Sequence, residues 1–181
     1  MSRATTNLSV FKDAEPVAAG LLYDRLLGEP AGPVIAVHFG SEDVRKRLPM
    51  ERLASLCDRL VNEVSGQILV LRAPGEEALL ADLVAHMSTV PVIAPDMGLR
   101  SLACLMRNAD MLICNDTGVL HLAAAVGLPT VSFHATSDPA IWKPPGPNHE
   151  ALYTHGVSIA SICLDAAFLA ARRRLSSQPP L

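Results

Sequence analysis

The chain reads as an α/β protein, a Rossmann-like parallel sheet with helices on both faces. Three observations predict this. Short runs rich in Val, Ile and Leu alternate with amphipathic segments along most of the 181 residues. Those runs are apolar throughout instead of alternating with polar residues, which marks strands buried on both sides. Half of the residues are hydrophobic and 18% are charged, a globular balance at a length that suits one domain with a substantial core.

The elements follow in order. Pro16 to Leu27 has Val17, Leu21, Leu22 and Leu26 along one side and predicts a helix. Pro33 to His38 is the first strand, followed by a polar loop from Phe39 to Leu48. Pro49 is expected at the first position of a helix running to about Val64, with Leu53, Leu56, Leu60 and Val64 on its buried face. Gln67 to Leu71 is the second strand and Pro74-Gly75 its turn. Glu76 to Met87 is helical, Val90 to Ile93 a short third strand, and Leu99 to Arg107 a helix. Asp110 to Cys114 is the fourth strand; a helix begins after Gly118, and Thr130 to Phe133 is the fifth strand. Ser158 to Leu175 predicts an amphipathic C-terminal helix, closed by Arg172-Arg173-Arg174 at the end where the dipole favours cations. The expected organisation is a linker-like helical segment over 1–30, a ligand-binding domain over 31–157, the helix over 158–175 and a disordered tail over 176–181.

In parallel sheets of this kind ligands bind beyond the carboxyl ends of the strands. The loops at that edge carry the polar chemistry: Ser41, Arg45, Lys46 and Arg47 after the first strand, and Arg72, Glu76 and Glu77 after the second. Asp96 and Met97 follow the third strand, Asp116, Thr117 and Gly118 the fourth, and His134, Thr136, Ser137, Asp138 and Trp142 the fifth. The turn Asn115-Asp116-Thr117-Gly118 is the most informative. It hands a buried strand over to a helix whose first N–H groups lack internal partners and whose positive dipole end attracts anions, phosphates above all. Gly118 permits close approach of a ligand, and Thr117 adds a hydroxyl donor. The plain alternative is an ordinary helix cap. Lys46 and hydroxyls suit a diphosphate, a carboxylate suits a ribose diol, and Met97 suits the face of a base.

Several classes are disfavoured. A formal net charge of −3, short basic runs and few aromatics speak against nucleic-acid binding. No apolar run reaches membrane-spanning length without a polar break. The glycine fingerprint of dinucleotide enzymes is missing after the first strand. Cys57, Cys104, Cys114 and Cys163 are widely spaced in apolar contexts, which points to reduced, buried thiols in the cytoplasm, with neither a disulfide frame nor a zinc site. An exposed apolar face is expected near Trp142, Pro144 and Pro145.

Four ordered segments resemble glycosyltransferase family 9, the ADP-heptose:lipopolysaccharide heptosyltransferases, over roughly Val34 to Gly146. They are Asp116-Thr117-Gly118-Val119-Leu120-His121 with the following Ala-Ala-Ala-Val-Gly-Leu-Pro, Ser41 through Lys46 to Pro49, Met97-Gly98-Leu99-Arg100-Ser101-Leu102, and Thr136-Ser137-Asp138-Pro139. Leu48 stands where the family favours Trp, and His134 where it favours Gly. The resemblance implies the C-terminal, nucleotide-sugar-binding half of a two-domain GT-B fold. It implies an ADP-sugar, foremost ADP-heptose, as substrate, a glycan acceptor of lipopolysaccharide type, inverting transfer, and neither cofactor nor metal. It implies Ser41 and Lys46 on the donor phosphates, with Lys46 stabilising the leaving group, and Thr117 and Gly118 on the diphosphate. Asp116 would take the sugar hydroxyls, Glu76 or Glu77 the ribose and Met97 the adenine, with His121 supporting the phosphate site. The general base of such enzymes lies mainly on the other domain, so no catalytic base is named. A second reading stays open: a non-catalytic nucleotide-sugar-binding module or remnant acting with a partner chain, a separate N-terminal half or a second copy. An unrelated α/β nucleotide-binding domain is the third.

Overall fold

Six strands, β1 (Val34–His38), β2 (Gln67–Leu71), β3 (Val92–Ile93), β4 (Met111–Asn115), β5 (Thr130–His134) and β6 (His149–Tyr153), pair in parallel in the order β3-β2-β1-β4-β5-β6. The computed structural model describes residues 14–176, with side chains from residue 20 onward. The helices are α1 (Ala14–Leu27), α2 (Met50–Val64), α3 (Glu77–His86), α4 (Leu99–Met106), α5 (Gly118–Ala125), the short α6 (Pro139–Trp142) and α7 (Leu164–Ser176).

The pleat of the strands divides the core into two. Val34 and Ala36 of β1, with Leu69, Leu71, Leu112 and Cys114, pack beneath α1, α4 and α5 through Leu27, Leu105, Met106, Leu120 and Ala123. Ile35 and Val37, with Ile68, Val70, Ile113, Val131 and Phe133, pack beneath α2, α3 and α7 through Leu53, Cys57, Leu60, Leu83 and Phe168. Successive side chains of a strand point to opposite faces, so a run of consecutive apolar residues feeds both layers. Arg59 of α2 lies 3.9 Å over the Phe168 ring of α7 and ties two helices of the second layer together.

Several expectations are corrected. Pro49 is the N-cap residue of α2, not its first helical residue, and its carbonyl receives the N–H groups of Arg52 and Leu53. The third strand contracts to two residues, with Val90 left almost fully exposed. A sixth strand, β6, extends the sheet past β5. The C-terminal segment begins as a 3-10 turn over Ile159–Ser161 before α7 starts at Leu164, and Ser176 closes that helix; the rest of the expected tail, like residues 1–13, lies outside the described residues. Three cysteines are buried, and burial pushes the Cys57 thiol up to about 12, but Cys163 is exposed. Around Trp142 the side chain itself is 54% exposed, whereas Pro144 is buried. Among the described residues no helix is long and apolar enough to cross a membrane.

Candidate functional site

The strand order places the reversal point between β1 and β4: from β1 the chain winds outward through β2 and β3, then returns to β4 and winds the other way. The loops after these two strands diverge and leave a crevice at the carboxyl edge. A cavity of about 570 Å³ opens there, lined by residues of the β1–α2 loop, the β2–α3 loop, the start of α4 and the β4–α5 turn.

One wall is the loop after β1. The Asp43 carboxylate accepts the Arg45 backbone N–H at 2.9 Å and its guanidinium at 2.8 Å, closing a 3-10 turn over Val44–Lys46. Arg47 Nε donates to the Ser41 carbonyl at 2.6 Å, and Leu48 is fully buried. Pinned at both ends, the turn carries Lys46 across the crevice to Asp116, with Nζ donating to Oδ2 at 2.7 Å.

The opposite wall is the β4–α5 turn. Asn115 is buried and stitches the two walls together: its Oδ1 accepts the Leu48 N–H at 3.1 Å and its Nδ2 donates to the Phe39 carbonyl at 2.7 Å. Asp116 follows, receiving both Lys46 and the Ser137 hydroxyl, the latter at 2.6 Å. Burial opposes ionisation of Asp116, but the bonds from Lys46 and Ser137 outweigh it and hold the carboxyl below its ordinary value of 3.8. Thr117 is the N-cap residue of α5, yet its side chain makes no capping bond. Its hydroxyl is buried and has no hydrogen-bond partner among the described residues. A cap hydroxyl normally satisfies a free N–H of the first turn, so the plain reading of this turn as an ordinary cap does not account for Thr117. A Cβ added at Gly118 would meet nothing within 4 Å, so the approach to the helix N-terminus is open.

The floor toward β2 holds Glu76. Its Oε2 accepts the Ala73 N–H at 2.7 Å and lies 3.5 Å from His38 Nε2. Burial opposes its ionisation; His38 and the Ala73 amide outweigh that and lower its pKa. Gly40 makes room for it, since a Cβ there would fall 1.6 Å from Glu76 Oε1.

Of the residues the sequence singled out, Ser41, Lys46, Glu76, Asp116, Thr117 and Gly118 converge on this cavity. Glu77, Met97 and His121 are not among its lining residues. Glu77 turns to solvent and pairs with Arg72 at 2.7 Å, so of these two carboxylates it is Glu76 that lines the cavity. Met97 packs against the core under α1, α4 and α5, and Leu99, two residues on, reaches the cavity instead. His121 is exposed on α5. Sequence reasoning did not single out His38 or Gly40, and it gave Asn115 no role although Asn115 opens the turn ranked most informative; their places at strand ends beside the polar loops were the available signal. No group of three or more His, Cys, Asp or Glu side chains among the described residues is arranged to hold a metal ion.

A sequence model of glycosyltransferase family 9 (heptosyltransferase) matches residues 12–161. Lipopolysaccharide heptosyltransferase 1 of Campylobacter coli is 31% identical over 109 residues, a match that takes in 56% of this chain and 32% of that protein. Among solved structures, the glycosyl transferase family 9 protein of Veillonella parvula superposes with a TM-score of 0.85 at 21% identity, covering 93% of this chain and 53% of that one. The E. coli ADP-heptose lipopolysaccharide heptosyltransferase II superposes with a TM-score of 0.78 at 20% identity, covering 92% and 52%. The chain thus spans about half the length of these structures and about a third of the curated relative.

Proposed function

The chain belongs to glycosyltransferase family 9, and from that premise we propose that the crevice between β1 and β4 binds an ADP-sugar, foremost ADP-heptose, as the donor for transfer to an acceptor of lipopolysaccharide type. The observation that carries this reading is the buried, partnerless Thr117 hydroxyl at the open N-terminus of α5. An unmade hydrogen bond in a buried place costs about 1–3 kcal/mol, so a ligand that completes it gains what the free protein forgoes.

The division of labour follows from position. The diphosphate takes the α5 N-terminus, the Thr117 hydroxyl and Lys46, with Ser41 on the facing loop. Glu76 accepts hydrogen bonds from a ribose diol, and Asp116 from the sugar. When the bond from sugar to β-phosphate breaks, negative charge accumulates on the departing phosphate. Lys46 and the helix N-terminus stabilise that charge more in the transition state than in the ground state, which is the condition for accelerating the step. The acceptor hydroxyl attacks the anomeric carbon from the face opposite the departing ADP as its proton passes to a general base, which in such enzymes lies mainly on the other domain, so the configuration inverts.

Nucleotide selectivity tests the reading. Thermal-shift titrations with ADP, UDP, GDP and CMP should show stabilisation by ADP above the others, growing as RT ln(1 + [L]/Kd). Equal shifts, or none, would remove the assignment.

A further inference from the structure

Behind Asp116 lies a chain of buried polar groups that donor binding as described does not use. Ser137 Oγ donates to Asp116 Oδ2 at 2.6 Å and lies 3.5 Å from His134 Nδ1; His134 Nε2 lies 2.9 Å from Ser132 Oγ. Ser132 and His134 are fully buried and Ser137 nearly so. Each comes from β5 or the loop after it, on the opposite side of β4 from Lys46.

One proton assignment uses the shortest contacts of this chain, with the Ser132 hydroxyl turned to His134 at 2.9 Å and away from the Glu150 carbonyl at 3.5 Å. The single hydroxyl proton of Ser137 goes to Asp116, so the 3.5 Å contact with His134 is satisfied with Nδ1–H as donor. In the neutral ring Nε2 then accepts from Ser132. A neutral imidazole fits its surroundings. Burial dominates in holding the His134 pKa below 6.5; the Asp116 charge opposes this, while Lys46, His121 and Lys143 add to it. Both side-chain bonds to Asp116, from Lys46 and from Ser137, fall on Oδ2. Oδ1 receives no hydrogen bond among the described residues.

We propose that Ser137 and His134 are positioning residues for recognition of the donor's sugar: they hold Asp116 with Oδ2 committed to the protein and Oδ1 presented to sugar hydroxyls. This rests on the donor-site reading above. Without the Ser137 hydroxyl the carboxylate swings toward Lys46 alone and its free oxygen loses its orientation. The nucleotide portion, held by Thr117, Lys46 and Glu76, is little affected.

The discriminating quantity is the ratio of ADP to ADP-heptose dissociation constants, measured by calorimetry on the full chain. The wild type should prefer ADP-heptose. Ser137→Ala should lower that preference by about tenfold, the consequence of losing one hydrogen bond to a charged group, while the ADP constant stays within about threefold of wild type. Ser137→Thr keeps the hydroxyl and should keep the ratio. His134→Leu should lower it, and His134→Asn, which retains a donor near the Nδ1 position, should restore it. Where Ser137→Ala fails to fold, Ser137→Cys replaces it. A wild type that binds neither compound overturns the donor reading and this inference with it. A wild type that binds both with no preference, or a Ser137→Ala or Ser137→Cys variant that retains the wild-type preference, overturns this inference and leaves nucleotide binding standing. Equal weakening of both compounds would show a merely structural role and also overturn it.

Discussion

Asn115 and Thr117 are two residues apart on one turn; the Asn115 side chain and the Thr117 hydroxyl are both buried, and they are built to opposite ends. Every polar atom of the Asn115 amide that can reach a partner has one: it spans from the end of β4 to both ends of the β1–α2 loop and closes the protein on itself. Thr117 has a hydroxyl in a place where hydroxyls are ordinarily bonded and leaves it unmade. Asp116, between them, is divided, with one oxygen committed inward. Within three residues the turn passes from a group that holds the fold to one that the fold holds in reserve. A stabilising device saturates its bonds with the protein; the donor-binding role proposed for Thr117 needs one left unspent.

That comparison can be broken at either end. The largest effect is expected at Asn115. Replacing it by Ala would leave the buried Leu48 N–H and Phe39 carbonyl without partners, at about 1–3 kcal/mol each, and urea denaturation should show a loss of several times the typical measurement error. A midpoint indistinguishable from wild type would mean that the stitch between the walls is dispensable. Thr117→Val should behave inversely. It removes an unsatisfied polar atom, so the free protein should be no less stable, yet ADP affinity by calorimetry should fall about tenfold, as for one lost hydrogen bond to a charged phosphate. Thr117→Ser should retain the affinity. Unfolding by Thr117→Val, with ADP affinity unchanged in the folded fraction, would return the turn to an ordinary cap. The smallest effect belongs to Glu77→Gln. Its pair with Arg72 is largely exposed, and such pairs contribute about 0–1 kcal/mol, so melting temperature and ADP affinity should both stay near wild type; a marked loss of affinity would restore Glu77 as the ribose ligand.

The sequence carried more of the fold than of the site, and particular residues show why. Gln67–Leu71 is a local pattern, an apolar run between turns, and its bounds are those expected. β6, His-Glu-Ala-Leu-Tyr, was missed because an edge strand packed on one side has neither a continuous apolar run nor a clean alternation, and it follows a loop rich in proline. The candidates that line the cavity, Ser41, Lys46, Glu76, Asp116, Thr117 and Gly118, sit in the loops after strands, where topology alone directs attention. Choosing between Glu76 and Glu77 required knowing which way the first turn of α3 faces, a matter of about 100° that one residue decides. The role of Asn115 was beyond local reading, because its partners lie 67 and 76 residues away in the chain. Ser137 and His134 stood in the right loop, but only the packing of β5 against β4 brings them behind Asp116.

Gly40 has a bearing on how such a crevice can be silenced. The space beside its α-carbon belongs to the Glu76 carboxylate. A methyl group there would evict that carboxylate from its amide and imidazole anchors and leave a mobile negative charge in the crevice proposed to take the donor's phosphates. Ligand affinity would then be suppressed by repulsion, from a position whose own atoms need never touch the ligand. Loss of binding in a natural variant of this protein could therefore originate from one added carbon, with every contacting side chain intact.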